Sequence, residues 1–184
     1  RGSGNFQIDS IGMKLSLPWL FRKPLAAERV NGDLSWKRYA DYWLVNGDSL
    51  RVAGADASGT GKLSLQLPHD RAASPVLKLR VDFHDGNGVH AARYYPASHL
   101  APGTLAWMES SFVAGEITKG YLIFEGPIRE FPFPNHTGKF ELRGHVRQGV
   151  YRFLPGWEPI RQADFDVAID GSEVTVVGSG KIGK

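Results

Sequence analysis

One segment of the chain carries most of the residues of a phosphate-binding loop. Residues 57–64 read ASGTGKLS, but a nucleotide-binding loop also requires a glycine five places before Gly61 and a serine or threonine after Lys62. Asp56 and Leu63 stand at those two places. The segment also enters an alternating pattern typical of a strand, whereas a phosphate site of this kind requires a helix N-terminus. We therefore interpret it as a hairpin turn.

A second group of side chains has metal-ligand character. Asp82, His84, Asp85 and His90 offer the carboxylate and imidazole groups that hard or borderline ions accept. Alternation along this stretch puts Asp82 and His84 on the solvent side of a strand, and Asp85 belongs to a glycine-rich turn. We interpret the group as a solvated strand end and predict no metal and no cofactor.

Two pairs of carboxylates could in principle perform acid–base chemistry, Glu109 with Glu116 and Glu125 with Glu130. Such work requires surroundings that push the two pKa values apart, which an exposed helix end or strand edge does not do. The serines lack the context of a nucleophile elbow, and the chain has no cysteine. We predict that the protein is not an enzyme and has no catalytic residues.

Composition narrows the class of protein further. The chain has 184 residues, of which 42% are hydrophobic and 22% charged, as in folded globular domains. Its net charge of +3 comes from 22 basic and 19 acidic residues. The basic residues are scattered, so we predict no binding to nucleic acid. No apolar run reaches the ~20 residues that span a bilayer.

Arg1, Gly2 and Ser3 resemble the remnant of an expression tag, and we expect residues 1–4 to be such a remnant.

The strongest signal is alternation of apolar and polar residues with a period of two. Leu77, Leu79 and Val81, for example, alternate with Lys78 and Arg80. Because successive side chains of a strand point to opposite sides of a sheet, each such run describes one apolar and one solvated face. The runs cover residues 29–37, 61–68, 76–84, 137–147 and 164–170. This pattern predicts a long antiparallel sheet.

Glycines mark the places where strands are expected to begin or turn. Asp170 and Gly171 separate two alternating runs, which predicts a two-stranded hairpin. The phrase Gly-x-apolar-x-apolar recurs as GDLSW, GKLSL, GYLIFEG, GKFELRG and GVYRF. We interpret it as a strand-start repeat of a sheet that grows by adding similar hairpins.

One segment departs from the strand pattern. Leu105, Met108 and Phe112 fall at helical spacing, with Pro102 near the start and Gly115 at the expected end. We expect one short amphipathic helix that lies over the sheet or caps one end of it.

These elements predict a mainly β fold, an extended and strongly curved antiparallel sheet, taco-like or groove-like, with one short amphipathic helix. We expect residues 5–184 to form a single β-rich segment of a longer protein. Within it, residues 5–95 hold the upstream strand repeats, 96–116 the short helix and 117–184 a second set of strand repeats.

The apolar face of this sheet is the candidate functional surface. One helix is too few to cover a sheet of about nine to twelve strands, the number that the spacing of strands and turns indicates. An open apolar face would suit acyl chains, because each buried methylene contributes about 0.8 kcal/mol. A sandwich that seals the same residues inside a core is the alternative, and the sequence leaves both open. The candidate groove residues are Leu34, Trp36, Leu65, Leu79, Val81, Leu122, Phe124, Phe140, Leu142 and Val146.

The second half of the chain resembles the YhdP family of AsmA-like proteins. That family's pattern has a tryptophan-bearing helix, then G-x-I-x-x-G-x-L-x-F-x-G, FPF, G-x-F and finally Y-x-x-x-W-P-x-I. Glu158, between Trp157 and Pro159, is a small departure from it. The upstream half, from VNGDLSW to GKLSLQLP, is similar to the family's preceding repeats. The matching positions are Trp107, Gly115, Gly120, Phe124, Gly126, Phe131, Pro132, Phe133, Gly138, Phe140, Tyr151 and Trp157.

The resemblance implies the periplasmic part of an inner-membrane-anchored protein of a Gram-negative bacterium. It further implies a hydrophobic β-groove that carries phospholipid toward the outer membrane and supports envelope integrity. The expected partners are phospholipid, membranes reached through the rest of the protein, and adjoining segments of the same chain. A structural spacer or partner-docking β-domain without ligand is the alternative. A carbohydrate-binding domain ranks lower, because Trp36 falls on the apolar side of its strand, where core packing accounts for it.

Overall fold

The computed structural model describes residues 2–16, 22–95, 97, 100–154 and 156–182. The predicted tag residue Arg1 and the predicted helix start at Pro96 lie outside these residues. The main feature is one sheet of nine antiparallel strands whose order in space follows their order in the chain. The strands are β1 (Ser3–Leu15), β2 (Leu25–Arg38), β3 (Tyr42–Ala53), β4 (Ser58–Pro68), β5 (Val76–Asn87), β6 (Phe112–Pro127), β7 (Lys139–Tyr151), β8 (Ile160–Asp170) and β9 (Glu173–Ile182).

The predicted mainly β fold with one antiparallel sheet is therefore confirmed. Each strand pairs with its neighbours in the chain, as expected where short turns join antiparallel strands. The predicted hairpin is also present, since only Gly171 and Ser172 connect β8 to β9 and Gly171 has a φ of +57°. In the part of the chain that the structure describes, β1 and β9 each have one neighbour, so the sheet is not closed into a barrel.

The longest connection described lies between β5 and β6 and contains a 3-10 helix (Gly88–Tyr94) and the helix α1 (Pro102–Ser111). A second 3-10 helix (Ile128–Glu130) follows β6. The α-helix ends four residues before Gly115, the end that we predicted. Phe112 already belongs to β6, where its ring packs edge-on against Phe165 at a centroid distance of 5.7 Å. Packing on the sheet thus overrides the helical spacing of Phe112.

The register of the strands places the apolar residues on one side of the whole sheet. Residues directly opposite each other on paired strands share a face. We call this side the apolar face. One row across it reads Phe6, Leu34, Gly47, Leu63, Leu79, Phe124 and Phe140. A second row reads Val81, Leu122, Leu142, Ile169 and Val174.

The opposite side of the sheet is polar. Its clearest cluster surrounds Glu141, which accepts a hydrogen bond from the Tyr121 hydroxyl at 2.7 Å and lies 2.5 Å from the Lys139 ammonium. Hydrogen bonds from Lys139 and Tyr121 hold the pKa of the Glu141 carboxyl below its usual value. Charged and hydroxyl groups thus pair with one another on this side, which leaves the apolar face as the side that must be covered or occupied.

The sheet curves around its apolar face. Arg22, between β1 and β2, donates a hydrogen bond at 3.0 Å to Glu109 of α1, although α1 lies on the far half of the sheet. Leu25 at the start of β2 and Val174 at the start of β9 both pack against one apolar cluster that includes Leu105. Strands from both ends of the sheet thus approach the same helix.

The first residues of the described chain take part in the sheet. Ser3 pairs with Lys37 and Gly4 pairs with Trp36. That residues 1–4 derive from an expression tag stays a prediction.

The repeated Gly-x-apolar-x-apolar phrase does not mark strand starts, so that interpretation is wrong. Gly32, Gly61, Gly120 and Gly149 lie inside strands, and only Gly138 immediately precedes one. The physical reason is the close packing over these glycines: a Cβ on Gly120 would lie 2.4 Å from the ring of Phe83 on β5, and one on Gly149 would lie 2.6 Å from the ring of Phe165 on β8.

Candidate functional site

The ten predicted groove residues all lie on the apolar face. The first row holds Leu34, Leu79, Phe124 and Phe140, and the second holds Val81, Leu122 and Leu142. Trp36 is opposite Val45, which is opposite Leu65, so both belong to this face. Val146 follows Leu142 by four residues and pairs with Phe165. Their role in lipid binding stays a prediction, but the sheet does bring them to one surface.

The apolar face has a covered half, formed by β5–β8. Here Phe124 is 2% exposed and Ile169 is 1% exposed, because Leu105 and Met108 of α1 pack against them in one cluster. Leu100, just before the helix, belongs to the same cluster. In this half the apolar face is a sealed core.

The FPF segment completes the cover from the opposite end of the strands. The Phe131 ring lies 5.6 Å from Phe124 and 5.1 Å from Phe140, measured between centroids. The Phe133 ring lies 5.3 Å from Phe124, edge to face. Edge-to-face and tilted arrangements at these distances are favourable for aromatic rings. The phenylalanines of this segment thus tuck into the sheet.

Glycines of the family pattern make room for these rings. A Cβ on Gly126 would lie 2.9 Å from the Phe133 ring, and a Cβ on Gly138 would lie 2.6 Å from it. Gly126 also has a φ of +141°, which L side chains rarely adopt. The spacing of the two glycines around FPF is thus explained by the seat that they form for Phe133.

A smaller apolar cluster continues the cover along β6–β8. Val146 and Phe165 are buried in it. The Tyr151 ring lies 5.9 Å from Phe165 and 6.2 Å from Trp107 of α1. The Trp107 indole also donates a hydrogen bond at 3.0 Å to the carbonyl of Phe153. The predicted tryptophan of the helix therefore ties α1 to the segment after β7.

The other half of the apolar face, on β1–β4, is more exposed, and we call it the open half, although Leu34 within it is only 8% exposed. Phe6 is 45% exposed, Leu67 is 37% exposed and Trp43 is 36% exposed, and the Trp36 ring lies 5.2 Å from that of Trp43. From β2 to β5, most positions on this face are apolar or glycine, with Arg38, opposite Trp43, as a charged exception. The apolar and glycine positions are Val30, Gly32, Leu34, Trp36, Trp43, Val45, Gly47, Leu50, Val52, Gly59, Gly61, Leu63, Leu65, Leu67, Leu77, Leu79, Val81 and Phe83.

Asp56 anchors the 3-10 helix (Gly88–Tyr94) that precedes α1. It lies in the turn between β3 and β4, and its carboxylate accepts hydrogen bonds from Arg93 at 2.8 Å and from the Tyr94 hydroxyl at 3.3 Å. The His90 ring nitrogen lies 2.5 Å from the same carboxylate. Burial opposes ionisation of Asp56, but the hydrogen bonds from Arg93 and His90 outweigh it and lower the pKa of the carboxyl. Burial, with the nearby Asp56 charge, raises the pKa of Tyr94 to about 12.

This anchor was not found from the sequence. Asp56 appeared only as the residue that breaks the phosphate-loop pattern, and its partners His90 and Arg93 are 34 and 37 residues away. The sequence offered no signal that joins them.

The residues of the predicted solvated strand end have separate partners. Asp82 pairs with Arg80 at 2.7 Å and His84 lies 2.6 Å from Asp85, whereas His90 turns to Asp56. The described residues contain no group of three or more His, Asp or Glu side chains placed to hold a metal ion.

Known proteins that are similar to this chain indicate the family to which it belongs. None of the helices in the described residues is long and apolar enough to cross a membrane. No solved structure matches the chain significantly. Among curated proteins, the chain is 22% identical over 155 residues to the "Intermembrane phospholipid transporter YhdP" of Escherichia coli (strain K12). That alignment covers 84% of this chain but 12% of the relative, so the chain spans about an eighth of the relative's length.

The family itself is established by a match over nearly the whole chain. The family model described as "YhdP protein" matches residues 1–180. The curated relative is named a transporter, and the prediction that the chain is not an enzyme is confirmed on this ground. The resemblance inferred from the glycine and aromatic spacing is confirmed as well: this chain belongs to the YhdP family.

Proposed function

We propose that this chain is a periplasmic segment of a longer, inner-membrane-anchored protein of a Gram-negative bacterium that carries phospholipid toward the outer membrane. The acyl chains lie on the open half of the apolar face, and the headgroup stays in contact with water. The observation that carries the proposal is this open half, where Phe6, Trp43 and Leu67 are exposed beside strands whose other face is polar.

An apolar surface of this size is unfavourable when it is exposed to water. Soluble monomers rarely expose contiguous apolar patches larger than a few hundred Å². The open half is about 14 Å wide and about 30 Å long from strand spacing and rise per residue. A bilayer core of about 30 Å is two acyl chains thick, so a single chain of about 15 Å fits on this surface. Apart from Ser10 and Arg38 near its borders, the face offers few polar groups that would fix a ligand, which suits passage along it.

The edges of the sheet support a segment that continues into others. β1 and β9 are 13 and 10 residues long, and each has one strand neighbour among the described residues. Long unpaired edges readily accept further strands. Adjoining segments of the same chain would extend the sheet and with it the apolar face, and the E. coli relative's greater length provides such segments in that protein.

The covered half favours a second role beside the first. Around Phe124 and Phe140 the face is sealed by α1 and the FPF segment, as the spacer alternative requires. We propose that this half gives the segment its stability and the open half its ligand.

The test compares substitutions on the two faces of one strand. Leu65→Asp with Leu67→Asp puts two charges on the open half, whereas Ser64→Asp with Gln66→Asp puts two charges on the polar face of the same strand, β4. Binding of a fluorescent phospholipid by the purified chain is the measurement, with thermal melting to verify folding. We expect the first double variant to remain folded and to lose at least about 10-fold in affinity, because charges do not share a surface with acyl chains. The control double variant should bind like the original chain.

Two results would contradict the proposal. One is an original chain that binds no phospholipid, and the other is a folded Leu65/Leu67 variant that binds as tightly as its control. If that variant unfolds, Phe6→Asp replaces it, since Phe6 is 45% exposed on the edge strand β1.

A further inference from the structure

A cavity lies where the end of β1 and the residues at the start of β2 approach the 3-10 helix that precedes α1. Its volume is about 270 Å³, and it opens to solvent. Because one water occupies about 30 Å³ of liquid, the cavity has room for a small polar group such as a phosphate ester. Its principal lining residues are Lys14, Lys23, Leu25, Asp56, Arg93 and Tyr94.

The side chains that line this cavity carry a net positive charge. Lys14, Lys23 and Arg93 contribute three positive charges and Asp56 one negative charge. Asp56 is already occupied, because Arg93 pairs with it at 2.8 Å. Neither Lys14 nor Lys23 has an acidic partner among the described residues. The two lysines are therefore available to an anion from outside the chain.

The wall of the cavity connects this charge to the apolar interior. Leu25 lines the cavity and also packs against the cluster that contains Leu100 and Leu105. Pro24 and Ala26, on either side of Leu25, complete an apolar wall. A positively charged opening thus lies directly against apolar side chains, which is the polarity of a phospholipid at its glycerol phosphate.

We propose that this cavity holds the phosphate-bearing headgroup of a phospholipid whose acyl chains lie on the apolar face. This inference rests on the proposed function and assigns a specific place to the headgroup. The ammonium groups of Lys14 and Lys23 contact the phosphate oxygens, and Leu25 contacts the first carbons of the chains. Because the cavity supplies charge and no shaped pocket for a particular headgroup, it selects for a phosphate and against a lipid that lacks one.

The experiment compares two lipids that differ in the phosphate. Phosphatidylglycerol and diacylglycerol with identical acyl chains are titrated, in detergent, against the purified chain and two double variants. The test variant is Lys14→Gln with Lys23→Gln. The control is Lys62→Gln with Lys78→Gln, which removes two exposed lysines from the polar face. We expect the test variant to bind phosphatidylglycerol roughly 5- to 20-fold more weakly and diacylglycerol unchanged, with the difference shrinking at high salt.

The other outcomes overturn the proposal in distinguishable ways. If both lipids bind the original chain and the test variant binds phosphatidylglycerol normally, the headgroup site is wrong and the proposed function stands. An equal loss in the control variant would indicate general surface charge. Binding of inorganic phosphate as tightly as phosphatidylglycerol, lost in the test variant, would identify a free-phosphate site. If the original chain binds neither lipid, the proposed function fails, and the headgroup site with it.

Discussion

At the residue scale, the covered half of the apolar face depends on aromatic rings that lie against glycines. Phe133 is seated over Gly126 and Gly138, and Phe83 lies against Gly120. In each case the glycine lies on one strand or beside it, and the ring comes from a different segment. The spacing of glycines in the family pattern is therefore explained by rings that pack over them from other segments of the sheet.

Gly138→Ala tests this packing. Its new Cβ would lie 2.5 Å from the backbone carbonyl of Glu125 and 2.6 Å from the Phe133 ring, so either the strand or the ring must move. We expect a loss of about 1–3 kcal/mol in the free energy of unfolding, as for overpacking elsewhere. Gly144→Ala is the matched control, because the nearest atom to its Cβ would be 4.0 Å away. Urea unfolding of both variants is the measurement, and equal stability would refute the seat for Phe133.

At the element scale, α1 and the FPF segment determine which part of the apolar face is open. Both lie over β5–β8, whereas Phe6, Trp43 and Leu67 on β1–β4 stay exposed. The segment that carries α1 is held in place at two points, by Asp56 through His90 and Arg93, and by Glu109 through Arg22. The boundary between core and open surface is thus fixed by polar contacts.

Leu142→Asp tests whether α1 and the FPF segment cover this part of the apolar face. Leu142 lies in the second row of the apolar face and packs against the cluster beneath α1. Leu142 is half-buried, so a carboxylate there would lose most of its contact with water and gain no partner, at a cost of up to several kcal/mol, which is comparable with the stability of an ordinary domain. Thermal melting should therefore show an unfolded or strongly destabilised variant. A folded Leu142→Asp chain with a nearly unchanged melting temperature would mean that water reaches this position and that the cover is absent.

The elements differ in how far the sequence could predict them. The alternation around Leu77 and Leu79 was sufficient for strands and for the shared face, because a period of two leaves only one choice of side. The sequence did not indicate that α1 would cover β5–β8 in particular, since Leu105 and Met108 could pack on any apolar strand. It also could not pair Asp56 with Arg93, because charged partners distant in the chain leave no periodic signal. Hence the surface was predictable and its division into two halves was not.

At the scale of the whole molecule, the sheet is a curved surface with one apolar side, and among the described residues its edge strands β1 and β9 each have one neighbour. The strands β1 and β9 offer their outer edges to further strands, and the ends of the sheet approach α1 from both sides. Such a segment gains a stable core from one half and keeps the other half available to a ligand. Repetition of this plan along a longer chain would give a continuous apolar path with a polar exterior.

The central claim is that acyl chains lie on the open half of the apolar face. A phospholipid with a photoreactive group in its acyl chain, cross-linked to the purified chain and mapped by peptide mass spectrometry, tests it most directly. We expect the cross-links to fall on apolar-face residues of β1–β4, such as Phe6, Trp43 and Leu67, and to be sparse at buried Phe124. Cross-links that fall mainly on the polar face, or on exposed apolar residues elsewhere such as Trp157, would contradict the claim.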